Sequence, residues 1–484
     1  MAPGQSILVS PDGRSITSAA RAWPATERSR RIARHWEVLL TKTSVAQALV
    51  VSLLFATLFA ARHASAQSPL SLSEAIAIAR SRNPDVGSAA AAEREAAERV
   101  TQVRGGYFPR VDVAESWQRG NHPVFVFSSL LAQRQFTAAD FALDALTHPA
   151  ATNNFRAAFS VEQSLFDRAT SANVRAASVE QDMAATGRQL VDQDLTAAVT
   201  DAFGRVLIAS ATARAAAATV EAARTDRELT ANRRDAGRVT DADVLQLDVF
   251  LARTLEQQVQ AISDEAVARA RLNQLMGEPL GARFSLDLAP PPIAIDVSDP
   301  ARLEEEALKM RPEVALAIQQ QQLAAARVEA AQAAFLPQVD VQGGWELNGG
   351  TWNSRSSSWV AGAVARVNLF HGFADRARLA EARAQATRRA IERGKAETMA
   401  RLDVQIAITR LEAARASEAV GRAAAARSRE SRRIVRDRYE SGLTDAAMLL
   451  RSADAMQQAD VQQITARVNV LTATATLQRA IGRP

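Results

Sequence analysis

The sequence predicts a mainly α-helical, internally duplicated chain with a transmembrane β part that it shares with other copies of itself. Three observations predict this. First, no proline lies between Pro149 and Pro279 or between Pro337 and Pro484, leaving two long reaches rich in Ala, Arg, Glu, Gln and Leu, all strong helix formers. Second, the landmarks recur in one order at nearly one spacing. Asn83-Pro84-Asp85 answers to Arg311-Pro312-Glu313, Phe108-Pro109 to Leu336-Pro337, and Leu165-Phe166 to Leu369-Phe370. Gly237-Arg238-Val239-Thr240 likewise answers to Gly442-Leu443-Thr444, and Met276-Gly277 to Ile481-Gly482. Third, two regions rich in aromatics alternate apolar with polar side chains, as strands with two unlike faces do. A tandem repeat decides the architecture; its unit here is helix, hairpin, very long helix, turn, helix.

The elements follow in order. Residues 45–61 are apolar, follow a basic stretch ending in Arg34 and Lys42, and precede Ala64-Ser65-Ala66. This is the pattern of a secretory signal peptide, so 1–66 is assigned to a leader and N-terminal extension. A signal anchor is the alternative. Of the 58 Lys/Arg and 53 Asp/Glu, eight and three fall in that segment, leaving 50 of each. The mature chain is therefore neutral, and the high pI is no argument for nucleic acid. No cysteine is present, which excludes disulfides and lipid attachment through a thiol.

The first repeat is placed at 67–302, with a hairpin at about 108–166, a helical hairpin at 167–277 and a proline-rich linker at 278–302. The second is placed at 303–484, with a hairpin at about 337–370 and a helical hairpin at 371–482. Helices are expected over 71–106 and 303–334, each interrupted by its proline. Strands are expected at 110–118, 154–165, 338–348 and 358–369. Their apolar faces carry Phe155, Phe159, Trp345 and Trp359, opposed by Arg156, Glu162, Asp340 and Glu346. One face for lipid and one for water suits a membrane barrel. Trp117, Phe155, Phe159, Trp345 and Trp359 are expected in interfacial girdles at the strand ends. A soluble β layer capping a coiled coil is the alternative.

Four strands cannot span a bilayer alone, because bare sheet edges leave unpaired N–H and C=O groups in hydrocarbon. The protomer is therefore expected to be an obligate oligomer. Each long helix, near 70 residues, would reach about 100 Å. Gly237 and Gly442 fit left-handed positions after these helices, and Thr240 and Thr444 fit the following N-caps. Asp243 completes a capping box with Thr240.

Taken together, these motifs resemble the TolC-like outer-membrane efflux channel family over residues 70–484. The resemblance implies a homotrimer in the outer membrane, with a shared twelve-stranded barrel and a helical tunnel extending into the periplasm. It implies docking of a periplasmic adaptor at Gly237, Val239, Thr240, Gly442, Leu443 and Thr444. The entrance gate it implies falls on Asp243 and Tyr439, with Met448 and Arg451 where well-known members carry aspartates. It further implies a passive exit duct for an inner-membrane transporter, RND-type favoured. Pro123 to Phe136 and Asp140-Phe141 resemble an insert of RND-linked channels, or are an external loop. An ABC-driven type I secretion duct, a non-channel periplasmic scaffold and a signal-anchored inner-membrane adaptor are the rival readings.

Enzyme chemistry is not expected. His122, His148 and His371 are scattered over hairpin ends, no zinc spacing occurs, and no phosphate-binding glycine loop is present. No cofactor or metal is expected.

Overall fold

A computed structural model of the protein describes residues 69–287 and 295–483. The expected leader, part of the proline-rich linker and Pro484 lie outside the described residues.

Each repeat opens with a helix split by proline. Helices α1 (Leu72–Arg82) and α2 (Pro84–Arg104) meet at Asn83. Ser71 and Glu74 form a capping box on α1, and Pro84 occupies N1 of α2, where its missing N–H is not needed. Asn83 caps α2 by accepting from the Asp85 N–H.

The sheet follows. Strand β1 (Arg110–Gly120) leads through α3 (Pro123–Ala132) and the single turn α4 (Leu143–Thr147) to β2 (Thr152–Phe166). Next come the long helix α5 (Arg168–Asp235) and its return α6 (Asp241–Met276). The second repeat supplies α7 (Pro300–Met310), α8 (Pro312–Ala333), β3 (Gln338–Thr351), β4 (Ser354–Arg366), α9 (Ala374–Glu440) and α10 (Ala446–Ala480). Helix α7 begins at Pro300, inside the stretch expected to be linker, because Asp299 accepts from the Arg302 N–H and starts the helix early.

The four strands form one antiparallel sheet in the order β1-β2-β3-β4, so each repeat contributes an adjacent pair. With 68 and 67 residues, α5 and α9 are each about 100 Å long. Among the described residues α5 is long and apolar enough to cross a membrane, but half of its apolar window is buried. Its apolar side is a packed helix face.

The buried core is strung along the helices, and two of its clusters are counterparts. Ala75, Ala79, Phe203, Leu272 and Met276 pack together in the first repeat, and Leu303, Ala307, Leu411, Leu477 and Ile481 in the second. Each repeat thus closes on its own beginning, and the duplicated glycines explain how. Gly277 and Gly482 have φ of +68° and +83°. A Cβ on Gly277 would lie 2.6 Å from the Arg82 carbonyl oxygen, and one on Gly482 2.6 Å from the Met310 carbonyl carbon. The end of each repeat passes backbone to backbone beside its proline break, which only glycine permits in a left-handed conformation.

Candidate channel entrance and membrane sheet

The two far turns are built alike. After α5, Gly237 adopts φ +71°, the Arg238 N–H donates to the Arg233 carbonyl (2.9 Å) and the Gly237 N–H to that of Arg234 (2.8 Å). After α9, Gly442 adopts φ +76°, the Leu443 N–H reaches the Arg438 carbonyl (2.8 Å) and the Gly442 N–H that of Tyr439 (2.9 Å). Both are helix ends in which a left-handed residue lets orphan carbonyls be satisfied.

The next helices start differently. Thr240 caps α6, and the Asp243 carboxylate turns back to accept from the Thr240 N–H (2.9 Å) and hydroxyl (2.8 Å). The N-cap of α10 is Asp445, not Thr444, and its carboxylate accepts from the Met448 N–H at 2.8 Å. Asp445 stands at the same distance from Gly442 as Thr240 does from Gly237. Matching threonine to threonine shifted the expectation by one position. Leu443 is 68% exposed and Val239 half-buried, so each turn offers an apolar side chain to solvent.

Of the four expected gate residues, Met448 and Arg451 are exposed and Asp243 is half-buried. Tyr439 is 1% exposed, packed with Leu247, Ala446 and Leu449. Its hydroxyl shares a hydrogen bond with Thr230 of α5 (2.7 Å), and the Arg233 guanidinium lies over its ring at 4.8 Å and donates to its carbonyl. Within one protomer Asp243 and Tyr439 thus have separate partners. One to two turns deeper, where sequence reasoning named nothing, Arg432 of α9 donates to Asp226 of α5. Arg432 also donates to the Leu449 carbonyl (3.0 Å) and the Ser452 hydroxyl (3.3 Å). Asp226 is 2% exposed and Arg432 8%. The two helical hairpins are therefore tied near their tips by an ion pair shielded from water. Its only sequence signal is an Asp and an Arg at similar distances ahead of equivalent turns.

At the opposite end, register sorts the sheet into two faces. Val113, Phe159, Trp345 and Trp359 lie opposite one another across all four strands. The other face carries Asp112, Arg156, Ser160, Glu162, Asp340, Glu346 and Asn348, with Arg156 and Glu346 ion-paired. Heights correct the expected girdle. Phe159, Trp345 and Trp359 sit at mid-strand, because period two fixes a residue's side but not its level. Trp117 and Phe155 lie toward the strand ends remote from the long helices, 6.3 Å apart, with Trp352 at 6.3 Å from Phe155. At the helix end, Tyr107, Phe108, Phe166, Phe370 and Phe373 are exposed. Phe108 and Trp117 are about 23 Å apart in height for a strand rising about 3.3 Å per residue at 40° tilt, close to the ~25 Å apolar band of a membrane barrel. Among the described residues, both β1 and β4 leave one edge without a partner strand. Among the described residues no cluster of His, Cys, Asp or Glu could hold a metal ion.

A sheet with one apolar and one charged face, mounted on helices of this length, defines an outer-membrane channel protomer. The family model for outer membrane efflux proteins matches residues 75–278 and 303–483, and the chain belongs to that family. Protein CyaE of Bordetella pertussis is 31% identical over 296 residues, 60% of this chain and 62% of that one, so the chain spans less than two thirds of that relative. The outer-membrane channel OprN superposes with a TM-score of 0.71 at 22% identity, covering 85% of this chain and 90% of that one. The outer membrane protein VceC of Vibrio cholerae gives 0.70 at 17% identity, covering 85% and 96%. These solved structures share the fold, and the protein is one of the TolC-like channels of the outer membrane extending into the periplasm.

Proposed function

We propose that three copies of this chain form a passive exit duct, with a closed twelve-stranded barrel in the outer membrane and a tunnel of long helices below. The carrying observation is the pair of bare strand edges on β1 and β4, flanking a sheet whose apolar face suits lipid. Each unpaired backbone group left in hydrocarbon costs several kcal/mol, which closure by neighbouring copies removes. Exposed apolar side chains on α6 (Leu245, Val249, Val259) and α9 (Ile391, Val420, Ile434) offer further contact surface between copies. Substrate enters at the tips and leaves through the barrel, and energy comes from an inner-membrane transporter, RND-type favoured.

A periplasmic adaptor docks on Gly237, Val239, Thr240, Gly442, Leu443 and Thr444, with Leu443 as the exposed apolar contact. The gate comprises Asp243, Tyr439, Met448 and Arg451. Tyr439 acts from within, holding α9 against α5 through Thr230. Detergent-purified mature protein is expected to have the mass of three chains and to form pores in planar bilayers, with Asp243→Ala raising single-channel conductance. A water-soluble monomer overturns the proposal. Unchanged conductance in Asp243→Ala removes that residue from the gate alone.

A further inference from the structure

We infer that α3 forms a second constriction at the outer exit of the channel, seated on the barrel's water-facing surface; this rests on the barrel proposed above. The connection between β1 and β2 does not project freely. Val126, Ser129 and Gln133, on one side of α3 and its C-cap, are buried. The Gln133 side-chain amide donates to the Asn153 carbonyl (2.8 Å) and to Asn154 Oδ1 (3.1 Å). The Ser356 hydroxyl donates to the Gln133 carbonyl (2.8 Å), and the Arg134 guanidinium donates to the Ser357 carbonyl (3.0 Å). Beneath them the Asn154 amide donates to Asn348 Oδ1 (3.0 Å), and Asn348 is 2% exposed. Asn154, Asn348 and Ser356 share the face of Arg156, Ser160 and Glu346, which is the charged one. The helix thus lies across β2, β3 and β4 on the water side, at the end remote from the long helices.

Scale makes this a constriction. Twelve strands about 4.8 Å apart, tilted near 40°, enclose a backbone cylinder about 24 Å across. Three helices about 10 Å thick, one from each copy, fill most of that opening. The segment also holds together as a body. Phe136 meets Phe127 at 4.8 Å and Phe141 at 5.0 Å, both edge to face, around a cleft of about 390 Å³ lined by Leu130 and Leu146. Its attachment to the sheet consists mainly of neutral hydrogen bonds, and Gln133 Oε1 has no donor. Cargo can displace such a body without breaking a buried ion pair.

The absence of cysteine allows a direct test on whole cells. Ser160→Cys places a thiol on the charged face below α3, and Phe159→Cys places one on the apolar face. A small membrane-impermeant maleimide is expected to label Ser160→Cys and not Phe159→Cys. A polymer-linked maleimide of several kilodaltons is expected to label Ser160→Cys about tenfold faster once residues 122–150 are replaced by a short Gly-Ser turn. Gln133→Ala with Ser356→Ala keeps the loop, guards against a misfolded excision, and should also speed that labelling by severalfold through the lost hydrogen bonds. Equal polymer labelling with α3 present, loosened and removed overturns the constriction. If the small reagent fails on Ser160→Cys, or labels both positions alike, the barrel assignment itself falls, and the constriction with it.

Discussion

Replacing Asp226 by alanine tests how far the two helical hairpins depend on their buried ion pair. In the protein Arg432 is satisfied by Asp226, the Leu449 carbonyl and Ser452, with almost no access to water. Removing the carboxylate leaves a guanidinium whose charge nothing nearby offsets, and breaking a buried pair from one side costs about 3–5 kcal/mol. The loss falls on the tips, where Tyr439 and Thr230 provide the next contact between α5 and α9. Local opening should therefore become easier without unfolding the whole chain. Hydrogen exchange read by mass spectrometry over 222–240 and 428–452 should accelerate about 150-fold for 3 kcal/mol, while the sheet is unaffected. The double variant Asp226→Ala/Arg432→Met removes both charges and should recover most of the protection. Exchange in Asp226→Ala within a few fold of wild type would refute the idea that this pair is desolvated and shuts the tips. No recovery in the double variant would show that the lost stability came from packing rather than charge.

Two further outcomes follow from the sheet and the repeat junction. Trp359→Arg puts a cation on the apolar face at mid-height and should cost about 2–4 kcal/mol per chain, read as loss of assembled trimer; Ser358→Arg, one residue away on the charged face, should assemble normally. Glu306 is held below the ordinary carboxylate range by a hydrogen bond from Arg483, with burial acting in the opposite sense. Because the folded value is the lower one, this stabilisation is complete above the unfolded carboxylate range near pH 4.3 and disappears as pH falls through the folded value. The melting temperature of wild type should thus fall more steeply below about pH 4 than that of Glu306→Gln.

Much of the architecture was legible because it depends on residues with few conformational options. Pro84 and Pro312 break helices wherever they occur, and Gly237, Gly277, Gly442 and Gly482 all adopt positive φ. Strand alternation likewise assigned Phe159 and Arg156 to opposite faces. What stayed hidden depends on contacts distant in sequence. No local pattern brings Asp226 to Arg432 or Thr230 to Tyr439, since each pair joins different repeats across two helices. The level of Trp359 in the sheet depends on loop lengths and register. The helix α3 is not legible within the stretch that resembles an insert or an external loop, because its run of Val, Phe and Leu has no helical period. Its placement is set by Gln133 meeting Asn154, a contact between polar groups that composition alone does not reveal.

The unpaired flanks of the four-stranded sheet bear on how the protein is made. A newly exported chain carries β1 and β4 with half of their backbone groups unclaimed, and a bilayer is the worst solvent for such a surface. Single copies have no tolerable way to enter the membrane and wait there. With three copies closing the barrel as proposed, biogenesis would bring them together first, or insert and join them in one act, and a shortage of copies should leave stranded chains for periplasmic proteases rather than small pores.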